Sequence, residues 1–193
     1  MPVAEEQKPR IFQGGRDILI SMGVLLLLMF VAVGFTGMCT FNPGAPESGP
    51  VKEVDAKTFT EMEARGMNFP VRYPEMGEGW MTNSARRAMV SGEPAPVVGW
   101  VTPNEGYVAM TQTGVDLDSA VRGVDSDPRE YESSTTIAGH EVQLYTSEHD
   151  DVRDLRVVDM GDSVLLFTGA GSDEEFHELI DTAVNTEPID TTT

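Results

Sequence analysis

An uncharged run of 22 residues, residues 18–39 (ILISMGVLLLLMFVAVGFTGMC), constrains this chain more than any other feature of its sequence. As an α-helix rising about 1.5 Å per residue, the run would be about 33 Å long, enough to cross a hydrocarbon core of about 30 Å. A cleaved signal peptide has a shorter apolar region of about 7 to 15 residues and ends in small residues. This run instead ends in Gly37, Met38 and Cys39. The sequence therefore predicts a retained transmembrane helix over residues 18–39.

The basic residues near this run indicate its orientation. Lys8, Arg10 and Arg16 precede the run, whereas the first basic residue after it is Lys52. Because basic flanks favour the cytoplasmic side, we predict a single-pass plasma-membrane protein with a cytoplasmic tail, residues 1–17, and a C-terminal domain outside. A lipidated cysteine would follow a small residue, but Met38 precedes Cys39, so an unmodified thiol is favoured over lipidation.

The charge of the chain excludes one class of partner. The sequence has 32 acidic and 13 basic residues, a formal net charge of -19, and 29 of the acidic but only 10 of the basic residues follow position 39. A nucleic-acid-binding surface needs clustered cations, so nucleic acid is excluded as a partner and the lipid bilayer is the first expected one. The single cysteine excludes an intramolecular disulfide.

Composition divides the exported part into three segments. Residues 40–50 contain three prolines and two glycines and are predicted to be a linker. Residues 51–185 have the length of one ordinary domain. Residues 186–193 are polar and are predicted to be a flexible tail.

Two helices are predicted near the ends of this domain. Asp55 has the residue type of an N-cap, and the apolar residues Ala56, Phe59 and Met62 follow at three-residue spacing, with Gly66 at the end. Near the C-terminus, Ser172 and Glu175 form a capping-box pattern. An apolar stripe follows that box and consists of Phe176, Leu179, Ile180 and Ala183. A short third helix is predicted over residues 118–124.

Three hairpins are predicted between these helices. They pair residues 97–102 with 106–113, residues 135–138 with 141–146, and residues 153–159 with 163–168, around short turns rich in Gly, Pro, Asn and Asp. Tight hairpins produce antiparallel sheets, because parallel strands need long crossovers. The predicted fold is α+β, an antiparallel sheet of five to seven strands with two to three helices packed on it, preceded by one transmembrane helix. We expect the first and last helices of the domain to cover one face of the sheet.

Two short motifs resemble catalytic or phosphate-binding sequences. Gly161-Asp162-Ser163 is similar to the nucleophile tripeptide of trypsin-like proteases, but Val164 follows it where that family has glycine, and a hairpin turn is the favoured interpretation. The glycines of residues 169–172 precede a helix that starts with three acidic residues, which would repel a phosphate, so helix capping is favoured. No catalytic residue and no cofactor is assigned.

Metal binding is also not assigned. Six acidic residues lie close together in the sequence, a density that suggests a calcium site, but they lack EF-hand spacing. A solvated acidic surface is the favoured interpretation of these residues, which are Asp116, Asp118, Asp125, Asp127, Glu130 and Glu132. The three histidines are scattered and form no ligand set by spacing.

Three residues are candidates for binding a small ligand. Trp80 and Trp100 could stack on a ligand, although burial between sheet and helix is the usual role of such rings. Arg86, beside Arg87, could hold an anion, although pairing with nearby carboxylates is the favoured interpretation. The predicted ligand-binding residues are Trp80, Arg86 and Trp100.

Several segments, taken in order, resemble the actinobacterial membrane-anchored family known as domain of unknown function 4245. The shared segments are Pro9-Arg10, residues 15–17, residues 36–39, residues 69–72, Gly79-Trp80, residues 83–86, residues 98–103, Tyr107-Val108, Thr111-Gln112, Thr168-Gly169 and Glu175-Phe176. The resemblance covers nearly the whole chain. It implies an inner-membrane protein with an outward domain and transfers no catalytic residue.

The favoured function is a non-enzymatic interaction or accessory module, held by its anchor near a membrane-protein or cell-envelope partner. A short anchor, a linker and an acidic folded domain with no paired nucleophile and base fit this role. The alternative is an envelope hydrolase or small-ligand-binding protein with a cleft near Trp80, Trp100 and Arg86.

Overall fold

The computed structural model describes residues 11–35, 53–125 and 127–191. The chain divides into two compact units, Met1–Gly49 and Pro50–Thr193. Cys39 and the predicted linker, residues 40–50, lie outside the described residues.

The first unit contains one long apolar helix, α1 (Ile11–Phe35). Its segment Gly14–Val31 is apolar enough and long enough to cross a membrane, and none of it is buried against protein. The Ser21 hydroxyl donates to the Ile18 carbonyl (3.0 Å), so this polar group is satisfied within the helix. The helix begins before the predicted start at residue 18, because backbone hydrogen bonding continues through Arg16 and Asp17.

The second unit is an antiparallel seven-stranded sheet with three helices, which confirms the predicted α+β class. Its helices are α2 (Ala56–Ala64), α3 (Leu117–Gly123) and α4 (Asp173–Asn185). The strands are β1 (Met81–Val90), β2 (Glu93–Val101), β3 (Tyr107–Thr113), β4 (Glu130–Ile137), β5 (His140–Thr146), β6 (Leu155–Asp159) and β7 (Val164–Gly169). The spatial order is β1-β2-β3-β7-β6-β5-β4, so β1 and β4 are the two edges.

Each face of the sheet has its own apolar core. On one face, α4 and the start of α2 pack on Val98, Trp100, Met110 and Phe167. On the other face, α3 packs on a smaller cluster that includes Leu166. The first and last helices of the domain therefore share a face, as predicted, and α3 covers part of the opposite face.

The C-terminal helix α4 follows its sequence pattern closely. The Ser172 hydroxyl accepts from the Glu175 amide, the Glu175 carboxylate accepts from the Ser172 amide, and the capping box is complete. All four residues of the predicted apolar stripe are buried. This prediction is confirmed because capping and amphipathicity are properties of adjacent turns of one helix.

Helix α2 starts as predicted but buries a different face. The Asp55 side chain accepts from the Thr58 amide (3.0 Å) and caps the helix. The buried positions include Thr60 and Glu63, whereas Met62 is 59% exposed. The expected apolar face is therefore wrong at Met62, because a bidentate ion pair with β1 draws Glu63 inward.

The three predicted hairpins are present, and the structure adds a tight hairpin between β1 and β2 that the sequence analysis missed. Strand β1 pairs with β2 around Ser91 (φ 49°) and Gly92 (φ 86°). The β4–β5 hairpin has a matching turn at Ala138 (φ 48°) and Gly139 (φ 83°). Positive φ at both central residues defines a two-residue type I′ turn, in which the flanking residues form a hydrogen-bonded pair.

The chain after α4 begins in contact with the domain. The Ile189 amide donates to the Val71 carbonyl (2.8 Å), and the Thr186 hydroxyl donates to the Thr182 carbonyl (2.7 Å). The start of the segment predicted to be a flexible tail is thus hydrogen-bonded to the fold.

Candidate functional site

In the described part of the second unit, an apolar concave surface lies between α4 and the β4–β5 hairpin, and we call it the α4–β4 groove. Its cavity volume is about 270 Å³. The apolar wall consists of Ile137, Val142, Leu144, Phe176 and Ile180. Small-molecule pockets usually begin at about 300 Å³, so the groove has room for one or two side chains rather than a whole ligand.

Arg156 and Asp173 lie at one end of the groove. The guanidinium of Arg156 lies 4.0 Å from the centre of the Phe176 ring, and its Nη2 donates to Asp173 Oδ1 at 2.6 Å. Asp173 is itself 89% exposed at the start of α4. Because Arg156 already has a carboxylate and an aromatic ring, its charge is compensated within the groove. His177 lines the same groove.

Strand β4 borders the groove with an open backbone edge. In its hairpin, Ile137 pairs with His140, Thr135 with Val142 and Ser133 with Leu144. Ile137 and His140 flank the type I′ turn and form a hydrogen-bonded pair, and hydrogen-bonded and non-hydrogen-bonded pairs alternate along the hairpin from there. Residues 133, 135 and 137 therefore direct their backbone N–H and C=O groups toward β5. The backbone groups of Ser134 and Thr136 therefore point away from the sheet. No other part of the described chain donates to or accepts from them.

The opposite edge, β1, is paired at its start. The Val54 amide donates to the Thr82 carbonyl and the Thr82 hydroxyl donates to the Val54 carbonyl, both at 2.9 Å. Helix α2 packs nearby, and the guanidinium of Arg87 donates to both carboxylate oxygens of Glu63 at 2.6 and 2.8 Å. Among the described residues the two edges thus differ, since the open part of β4 borders the α4–β4 groove, whereas β1 lies beside α2.

The three predicted ligand-binding residues do not form one surface. Trp100 is 1% exposed and belongs to the core under α4. Trp80 packs against that core, and its buried indole N–H has no hydrogen-bond partner among the described residues. Arg86 is exposed and pairs with Val97, three residues before Trp100 on β2, so Arg86 and Trp100 lie on opposite faces of the sheet. Their role in ligand binding stays a prediction.

Ser163, in the tripeptide similar to a protease nucleophile, is held by two hydrogen bonds. Its hydroxyl donates to Asp162 Oδ1 and accepts from Arg72 Nη1, both at 3.0 Å. The predicted turn is present, since Met160 N donates to the Ser163 carbonyl (2.9 Å). The side chain of Arg72 is buried beside this turn, and its Nε has no partner in the described part of the chain. The cluster therefore joins the segment before β1 to the β6–β7 turn.

Two of the acidic residues considered for calcium, Asp116 and Asp125, have separate local roles. Asp116 caps α3 by accepting from the Ser119 amide (3.0 Å), and Asp125 pairs with Arg129 (2.7 Å). Within residues 11–35, 53–125 and 127–191, no three carboxylate, imidazole or thiol side chains converge as a metal site.

Glu175 connects α4 to the β2–β3 loop. It is almost fully buried, and its Oε1 accepts from the backbone and side-chain amides of Asn104 at 3.2 and 3.0 Å. Burial raises the pKa of Glu175, but hydrogen bonds from Thr102, Ser172 and Asn104 outweigh it and lower the pKa below its ordinary value.

This lowered pKa predicts an acid-sensitive contribution to stability. Because the pKa is lower in the folded state, ionised Glu175 stabilises the fold above its ordinary pKa, and this stabilisation is lost as the pH falls through the lowered value. We expect Glu175→Gln to reduce the loss of stability between neutral pH and about pH 3, measured by urea unfolding of the full chain in detergent. Glu174→Gln is the matched control and should leave that loss as in the wild type; equal pH profiles for both variants would contradict the prediction.

The sequence analysis missed the groove and the open edge, although it found the buried stripe of α4. Residues 133–136 are all Ser or Thr and lead into an Ala-Gly turn, a pattern that indicates a solvent-exposed strand but not its place in the sheet. No local sequence pattern identified Arg156 as part of the groove, because the residues that it contacts, Phe176 and Asp173, are distant from it in sequence.

The sequence matches the family model described as "Protein of unknown function (DUF4245)" over residues 10–183. The match therefore extends from the start of α1 into the last turn of α4. No curated protein and no solved structure matches the sequence.

Proposed function

Because this chain belongs to the family of proteins of unknown function DUF4245, which itself names no activity, we propose its function from the site: a non-enzymatic interaction module anchored in the plasma membrane. In this proposal α1 is a single-pass anchor with its N-terminus in the cytoplasm, and the acidic domain lies outside, close to a membrane-protein or cell-envelope partner. The observation that carries the proposal is the open edge of β4 beside the α4–β4 groove.

Three features of the domain support binding rather than catalysis. The groove wall is apolar, and its one guanidinium is already paired with Asp173. The hydroxyl of Ser163 is engaged by Asp162 and Arg72. An apolar groove beside unpaired backbone groups is a typical surface for protein recognition.

The alternative, a hydrolase or small-ligand cleft near Trp80, Trp100 and Arg86, has weaker geometric support. The Trp100 ring is buried, and Arg86 lies on the other face of the sheet. A cell-wall substrate whose turnover is lost on Arg86→Ala would favour that alternative over the interaction module.

The proposed topology predicts a reporter result. We expect alkaline phosphatase fused after Thr191 to be active in a bacterial host and a cytoplasmic reporter fused there to be inactive, because the basic flank retains the N-terminus inside. The reverse pattern would contradict the proposed orientation.

Photocross-linking in cells tests the interaction itself. A photoreactive residue at Ser134, on the open edge, should give one predominant protein adduct, whereas the same residue at Met89, exposed on the opposite edge, should not. Adducts of equal yield from both positions, or none from Ser134, would contradict a partner at this surface.

A further inference from the structure

We infer that the occupant of the α4–β4 groove is an extended segment of a partner protein in which apolar and basic residues alternate, added to β4 as an eighth, antiparallel strand. This inference rests on the proposed interaction function and names the chemistry of its partner. The three supporting observations are the backbone of β4, the side of the sheet on which the groove lies, and the charge of the domain.

The backbone of β4 can accept a strand. Ser134 and Thr136 direct their N–H and C=O groups outward, and the stretch from Ser133 to Ile137 carries no charge and no proline. Native edges usually carry Lys, Pro or a covering element that prevents pairing. In β4 the protective features are confined to the start of the strand. They are Glu130, Glu132 and a bulge between Tyr131 and Ser133.

The groove determines which partner residues are apolar. Thr135 and Ile137 lie on the α4 face with the groove. Directly opposite residues of paired strands share a face, so partner residues opposite Ser133 and Thr135 direct their side chains toward the groove. In an antiparallel arrangement, the partner residues opposite Ser133 and Thr135 form non-hydrogen-bonded pairs with β4. The partner residues that bond to β4 are therefore those opposite Ser134 and Thr136, whose side chains lie on the other face.

Charge indicates what those other partner residues are. Glu141 pairs with Thr136 and is exposed on the face away from α4, where these partner residues point. The part of the chain after residue 39 has 29 acidic and 10 basic residues. Two copies of such a domain repel each other, whereas a basic segment is attracted, so a second copy pairing through β4 is disfavoured.

The test uses the full chain in nanodiscs of zwitterionic lipid and two proline variants at equivalent positions. Thr136→Pro removes an outward N–H of β4, and Met89→Pro removes the corresponding outward N–H of β1, since each residue lies two positions before a matching type I′ turn. Neither N–H belongs to the ladder of its own hairpin, so both variants should fold, as circular dichroism would verify.

The probe is an arrayed library of octapeptides in which Lys alternates with Val, Ile, Leu, Phe or Tyr. We expect members to bind the wild-type chain and Met89→Pro alike, and Thr136→Pro at least tenfold more weakly. N-methylation of the Lys amides should abolish binding, whereas N-methylation of the apolar residues should not, because only the former amides bond to β4. The comparison of the two kinds of methylated peptide uses wild-type protein, so it tests the inference even if Thr136→Pro fails to fold.

Several outcomes would overturn the inference. These are no binding from the library, equal binding by peptides of scrambled order, equal binding by Thr136→Pro, or loss of binding only on methylation of the apolar residues. A dimer of the wild-type chain that Thr136→Pro dissociates would show a second copy as the occupant. If the library fails while Ser134 still cross-links to a partner in cells, the interaction function stands and only this partner chemistry is wrong.

Discussion

Leu179→Asp should abolish folding of the second unit. Leu179 is 0% exposed in the core between α4 and the sheet, so a carboxylate there is either buried without a partner or protonated at a large cost. We expect the free energy of unfolding to fall by more than about 4 kcal/mol, a large part of the stability of an ordinary domain. Urea unfolding of the full chain in detergent, followed by circular dichroism, measures this loss.

Two neighbouring variants make this prediction specific. His177→Asp places the same residue at an exposed position at the rim of the α4–β4 groove and should change stability by less than about 0.5 kcal/mol. Phe176→Asp should cost less than Leu179→Asp, because the guanidinium of Arg156 lies over the Phe176 ring and can reach a carboxylate there. Equal losses for Leu179→Asp and His177→Asp would contradict the assigned packing face.

Gln112→Leu should detach the segment before β1 from the centre of the sheet. Gln112 is 0% exposed, accepts from the Arg72 amide and donates to the Arg72 carbonyl, both at 2.8 Å. Leucine removes both bonds and leaves two buried backbone groups unsatisfied, at about 1–3 kcal/mol each. We expect a loss of about 2–6 kcal/mol in the free energy of unfolding, again measured by urea denaturation.

Hydrogen exchange distinguishes this effect from a general loss of packing. The Val71 carbonyl accepts from the Ile189 amide, so loosening of this segment should also raise the exchange rate of Ile189. Gln143→Leu, at a half-buried position of β5, is the matched control and should leave the exchange of Ile189 unchanged. Protection of Ile189 in Gln112→Leu as strong as in the wild type would contradict this connection.

The local sequence was sufficient for elements whose determinants are close together in the chain. The apolar run predicts a membrane-spanning helix, and α1 contains a segment long and apolar enough for that role. The capping box and the stripe of α4 are confirmed, as are three hairpins and the short helix α3. Membership of the DUF4245 family, predicted from motifs in order along the chain, is also confirmed.

The failures concern features that depend on distant partners. The face of α2 was misassigned at Met62, because the ion pair of Glu63 with Arg87 joins residues 24 positions apart. Strand β1 was missed because its polar sequence becomes a strand only through its pairing with β2. Trp100 and Arg86 were grouped by residue type, but the alternation of side chains along paired strands separates them onto two faces.

The sequence by itself thus determined the long apolar helix, the helix caps and the turns, because each follows from residue types within a few positions of one another. The position of the open edge was decided only by the tertiary structure. The order β1-β2-β3-β7-β6-β5-β4 places β4 at an edge and α4 beside it. Strand order is a matter of long-range packing, because an edge strand and a central strand can have the same local pattern, and only the assembled sheet leaves the backbone of one of them unpaired.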